Sequence, residues 1–199
     1  MKWVDNGGGD FENPEPGSYA ARCYKITDIG TQTGEYQGKQ TIRRQVIIGW
    51  ELDEKMTDGR PFVVSKFYTA SLNEKATLRH DLEGWRGRQF TDEELGGFDP
   101  KKLIAQPCLL SLTKTDKGKI KVASVGKLPK SMTAPEIHNP TVFFSLDDFD
   151  PGIFDGLSDG IKKLVMQSPE YQEARNPRNM DEGNRAAAMA SADAEDCPF

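Results

Sequence analysis

From Ile42 to Leu52 the chain alternates: Ile42, Arg44, Val46, Ile48, Trp50 and Leu52 fall on one face of an extended segment, and Arg43, Gln45, Ile47, Gly49 and Glu51 on the other. Side chains of a strand point alternately to its two faces. A stretch this long in one phase commits the middle of the chain to a β-sheet with one apolar side. Trp50, in register with Val46 and Ile48, is expected in the core.

The flanking sequence extends this pattern. Residues 18–29 have extended character with imperfect alternation, as expected of a bent or bulged strand, and "GTQTGEYQGKQ" is expected to be the loop into the second strand. The turn "TDGRP" separates that strand from a third, "FVVSKFYTA". "SLNE" has the form of a capping box and is expected to open a helix with Leu78, Leu82 and Trp85 on one side, ended by Gly84 and Gly87. A second box, "TDEE", opens a short helical turn. "PCLLSLTK" and "KIKVASVGKL" are then two strands about the turn "TDKG". The order β-β-β-α-β-β leads to the expectation of a mainly β, five-stranded OB-fold barrel with a helix between strands 3 and 4, other small five-stranded barrels being the alternative.

Composition sorts the remainder. Residues 1–16, with Gly7-Gly8-Gly9 and two prolines, are expected to be a flexible arm; 17–130 the barrel; 131–170 a Pro/Gly-rich acidic extension with one short helix around Ile161, Leu164 and Val165. Residues 171–199 have the composition of a disordered acidic tail. The formal net charge of -5 is unevenly spread: residues 17–130 hold 20 Lys/Arg against 14 acids, and 131–199 hold five against 13. A basic body with an acidic tail points to a polyanionic partner for the body.

No apolar run approaches the ~20 residues of a membrane span, and the start lacks a secretory h-region, so the expected location is the cytoplasm. Cys23, Cys108 and Cys197 are scattered and are expected to be reduced thiols. With only His80 and His138, the chain offers no zinc spacing, and no cofactor or metal is expected. Asp147, Asp148, Asp150, Asp155 and Asp159 are the carboxylates a Mg²⁺-dependent nuclease would need, but they fall in Pro/Gly-rich sequence, where a solvated linker is the expected role.

OB-folds that bind single strands use the outer face of strands 2 and 3 and the loops between strands 1–2 and 4–5, combining cations for phosphates with aromatic rings for bases. Each of these places is cationic or aromatic: Tyr36 and Lys39 in the first loop, Arg43 with Gln45 on strand 2, Lys66 and Tyr68 on strand 3, and Lys114, Lys117, Lys119 and Lys121 around the last turn, where a merely solvated hairpin is the competing role. Arg86 and Arg88, around a glycine after the helix, join the set; an ion pair of Arg86 with Asp81 or Glu83 is the competing role, and a place in the core is the competing role for Tyr68.

"GSYAARCYKITDIGTQ", "RQVIIGWEL", "SKFYTASLNEKATLRHDLEGWRGRQF" and "CLLSLTKTDKGKIKVASV" together resemble the small OB-fold single-stranded-DNA-binding proteins of bacteriophages. The last residues, "EDCPF", resemble the tip of bacterial-type single-stranded-DNA-binding proteins, with Cys197 where that tip has Ile. The resemblance implies a non-enzymatic protein of phage DNA replication or recombination, in the host cytoplasm and open to homo-oligomerisation. It also implies that Asp193, Glu195, Asp196, Cys197, Pro198 and Phe199 recruit replication or recombination proteins. A strand-annealing recombination protein, a nuclease and a protein-binding adaptor are the alternatives.

Overall fold

The computed structural model describes residues 12–36 and 38–175, with the side chains of Tyr36 and Lys39 excepted. The six residues assigned to the tip and the first eleven of the arm lie outside this range. The chain is mainly β. In order come β1 (Gly17–Tyr36), β2 (Lys39–Lys55), β3 (Pro61–Thr69), α1 (Thr77–Arg86), α2 (Asp92–Gly96), β4 (Pro107–Lys114), β5 (Ile120–Gly126), β6 (Val142–Phe144), α3 (Pro151–Asp155), α4 (Asp159–Met166) and α5 (Pro169–Ala174). One sheet runs β3-β2-β1-β4-β5, and β6 pairs with β1. β4 is antiparallel to both β1 and β5, with Ala21 opposite Cys108 and Leu110 opposite Val125.

The helix between the third and fourth strands is where the sequence puts it; the sixth strand is additional. β3 and β5, the two ends of the path, approach each other without sharing a ladder, so the sheet is open rather than a closed barrel. The eleven residues expected as a loop are largely strand, because pairing supplies the backbone hydrogen bonds that a Gly/Thr-rich composition does not forbid.

The chain divides into two compact units. The first contains residues 1–26 and 47–143. Its core is built on Trp50, 0 % exposed, whose ring centroid lies 6.0 Å from that of Trp85 on α1, with Ile48, Leu52, Phe62, Leu82, Leu110, Val122 and Val125 buried around them. α1 packs on β5 and β3. It begins at Thr77, after Ala76, with no side-chain cap: the expected box at Ser71 instead makes a local turn in which Ser71 Oγ accepts the Asn73 N–H at 3.1 Å. Gly84 lies inside α1, where a Cβ would stand 2.6 Å from the Val125 carbonyl oxygen; Gly87, at φ 67°, is the left-handed cap. The box at Thr91 forms as expected.

The opposite face of β2 is also covered. Glu51 is fully buried, and its carboxylate accepts the N–H groups of His138 at 2.8 Å and Asn139 at 2.7 Å, together with the Asn139 side-chain amide.

The second unit contains residues 27–46 and 144–199. The extension beyond residue 130, expected to hold a single helix, supplies three to this unit, and Phe144, Phe149, Phe154 and Tyr171 cluster with ring centroids 5.2–6.1 Å apart. Two of the five acids expected in a solvated linker have partners in the fold: Asp147 accepts from Arg44 Nη2 at 2.8 Å, and Asp150 caps α3 through Gly152 N–H and Ile153 N–H. Tyr171, placed by composition in the tail, is buried in α5. Gln32 donates to the Leu164 carbonyl at 2.9 Å. Gly30, at φ 69°, leaves room for Ser168, whose Cβ would lie 2.4 Å from a Cβ placed there. Ile42, although in phase with Trp50, is 68 % exposed.

Candidate nucleic-acid interface

β3 decides which side chains face solvent. Phe62, Val64, Lys66 and Tyr68 occupy one phase of the strand, and Val63, Ser65 and Phe67 the other. α1 takes the first phase. Tyr68 is 4 % exposed and its hydroxyl donates to Asp81 Oδ2 at 2.8 Å; Lys66 Nζ donates to the same oxygen at 2.7 Å and lies 5.2 Å from the Tyr68 ring centroid. Burial, then the Asp81 charge, push the Tyr68 phenol far above its ordinary range. Lys66 and Tyr68 therefore do not form the exposed cation–aromatic pair expected from the sequence. The exposed aromatic is Phe67, 55 % accessible, with Val63, 48 % accessible, on the same side of the strand.

Arg86 and Arg88 are also committed within the protein, and to a partner the sequence did not suggest. Glu94 closes its capping box on the Thr91 N–H and also receives Arg86 Nη2 and both Arg88 Nη atoms, the latter at 2.7 and 2.9 Å. The Arg86 guanidinium lies 4.3 Å over Phe90 and 5.6 Å over Phe98. The Arg88 hydrogen bond first, then the Thr91 N–H and Arg86, hold the Glu94 carboxyl down at about 2.

The β4–β5 hairpin carries four lysines around its turn. Lys114, Lys117, Lys119 and Lys121 are exposed, and none has an ion-pair or hydrogen-bond partner for its side chain among the described residues. The turn carrying them is fixed by Thr115 N–H to Lys119 C=O and Gly118 N–H to Thr115 C=O, both 2.8 Å, with Gly118 at φ 77°. Arg43 is exposed and Gln45 half-buried, both in the second unit; the side chains of Tyr36 and Lys39 lie outside the described residues. Tyr24 is half-buried, its ring 3.3 Å from a Cβ placed on Gly49.

Between β3 and β5 runs a groove of about 610 Å³. Residues 62–65 form one wall, Ile120 and Val122 the other; the turn at Met56 to Arg60 and residues 12–14 lie at it as well. Lys119 and Lys121 flank Ile120 in the chain. The structure thus gathers, within one unit, an exposed ring and valine on β3, a groove of mixed polar and apolar lining, and a hairpin of four lysines unpaired among the described residues.

Among the described residues no cluster of three or more His, Cys, Asp or Glu is disposed to hold a metal ion, and no helix is long and apolar enough to cross a membrane. No protein-family model matches the chain, and no curated protein matches it.

Proposed function

We propose that the chain binds single-stranded DNA with little sequence preference, through β3, the β3–β5 groove and the β4–β5 hairpin. The observation that carries this reading is Phe67, an aromatic side chain more than half exposed on a sheet strand of the unit that also presents four exposed hairpin lysines. An exposed ring has no packing role of that size; every base offers it a π-face, and lysines hold the phosphates without reading sequence. A central β1, with β3 and β5 as the free ends and a helix following β3, supports an OB-type, partly open barrel.

The finer reading is a phage-type, non-enzymatic single-stranded-DNA-binding protein of replication or recombination, working in the cytoplasm. Its residues 193–199 recruit partner proteins: Phe199 enters an apolar pocket, and Asp193, Glu195 and Asp196 steer the approach.

Titration of fluorescent oligo-dT at several salt concentrations tests the proposal. Neutralising Z phosphates gives a slope of about -0.7Z in log K against log salt. A flat salt dependence, or tighter binding of duplex than of single strand, overturns it.

A further inference from the structure

At the C-terminal end of α1 the first unit forms a cavity of about 560 Å³, within the size range of small-molecule sites. The last turn of α1 brings Trp85 and Arg86 to it, and the left-handed cap at Gly87 turns the chain so that Arg88 lines it too. α2 adds Glu94, and the 3-10 turn Pro100–Leu103 adds Lys102 and Leu103. Beyond the end of β5 come Lys127 and Leu128. Lys127 is positioned by packing: its stem lies against Gly87, where an added Cβ would stand 2.8 Å from Lys127 Cδ.

The charge of this lining is one-sided. Arg86, Arg88, Lys102 and Lys127 share it with a single carboxylate, Glu94. Glu94 pairs with both arginines, but one carboxylate does not neutralise two guanidiniums, and Arg86 Nη1 is buried with no hydrogen-bond partner among the described residues. Lys102 and Lys127 are exposed, and their ammonium groups are unpaired among the described residues. The C-terminus of α1 offsets about half a charge at most. Such a set matches a group carrying more than one negative charge, as a phosphomonoester does near pH 7. Arginines already held in place by Glu94 lose little freedom on gripping phosphate oxygens. The rest of the lining is largely apolar: Phe98, Pro107 and Leu128 are half-buried, with Trp85 and Leu103 buried beneath. Free phosphate makes no use of that part, whereas a nucleobase does.

We propose that this cavity binds the phosphomonoester end of a nucleotide, with the phosphate on the four cations and the base against Phe98, Pro107 and Leu128. A free nucleoside monophosphate and the 5′-phosphorylated end of a DNA strand share this chemistry. The site goes beyond the single-strand reading and does not depend on it: Lys127 lies six positions from Lys121 of the hairpin, about 20 Å along an extended strand.

Calorimetric titration of the full chain at low salt tests the site. dTMP is expected to bind and thymidine not to bind. Lys102→Ala and Lys127→Gln are each expected to weaken dTMP binding about tenfold, the scale of one charge-assisted hydrogen bond, with an unchanged melting temperature. Lys117→Ala, on the hairpin, is expected to leave dTMP binding as it was. Oligo-dT with and without a 5′-phosphate identifies the source. Tighter binding of the phosphorylated strand, lost in Lys127→Gln, assigns the cavity to strand ends; dTMP binding without that preference assigns it to the free nucleotide. The proposal is overturned if dTMP does not bind and the 5′-phosphate adds nothing, if inorganic phosphate binds as tightly as dTMP, or if Lys102→Ala and Lys127→Gln bind dTMP like the parent. If dTMP binds and oligo-dT does not, the single-strand reading fails and the nucleotide site stands; if oligo-dT binds regardless of its 5′-phosphate and dTMP does not bind, the nucleotide site fails and the single-strand reading stands.

Discussion

Phe67 and Tyr68 are neighbours in sequence with opposite fates, and the pair gives the sharpest test of the site. Phe67→Ala is expected to weaken oligo-dT binding by about 1–3 kcal/mol, the value of one lost base stack, and to leave the melting temperature unchanged, since more than half the ring is in solvent. Tyr68→Phe is expected to do the reverse. It removes a buried hydrogen bond to Asp81, costing roughly 1 kcal/mol of stability, and leaves DNA affinity alone. Anisotropy titrations paired with melting curves read both. Glu94 carries a pH signature. Because Arg88, Thr91 and Arg86 depress its carboxyl to about 2 from 4.5, its contribution to stability is present above 4.5 and lost as the pH falls toward 2. Glu94→Gln is therefore expected to lower the melting temperature at pH 7 and to differ little from the parent near pH 2.

At the scale of elements, the packing of α1 on β5 depends on a missing side chain. Ala is ordinarily the better helix former than Gly by about 1 kcal/mol, yet Gly84→Ala places a methyl carbon 2.6 Å from the Val125 carbonyl oxygen. The helix must lift from the sheet, and a net destabilisation of about 1–3 kcal/mol is expected from overpacking, measurable by urea unfolding. The outer face of β2 has a comparable dependence on Glu51. Glu51→Leu leaves the His138 and Asn139 N–H groups without their buried acceptor, and each unsatisfied donor costs about 1–3 kcal/mol. Hydrogen exchange is expected to accelerate at residues 138 and 139 first, ahead of β4 and β5.

At the scale of the whole molecule, local sequence determined what local physics controls. The long alternation in β2, the core place of Trp50, the β-β-β-α-β-β order, the Thr91 capping box and the lysine-bearing β4–β5 turn are each written in a few consecutive residues, because strand period, cap chemistry and turn chemistry are short-range. Tertiary structure decided the rest. Both phases of β3 carry an aromatic ring, so only the side on which α1 lands, marked by Asp81 fifteen residues beyond Lys66, determines that Tyr68 is core and Phe67 is surface. Arg86 and Arg88 read as DNA-binding cations, with an ion pair to Asp81 or Glu83 as the competing role for Arg86, and only the fold brings the actual partner, Glu94 of α2, to both. Residues 144–170, read as part of a Pro/Gly-rich acidic extension with one short helix, and 171–175, read as the start of a disordered tail, include groups held by partners more than a hundred positions away: Gln32 meets the Leu164 carbonyl, and Asp28 the Leu146 N–H. A contact between distant segments leaves no period in either of them, and burial on such contacts is what assigns each side chain to the core or to the surface.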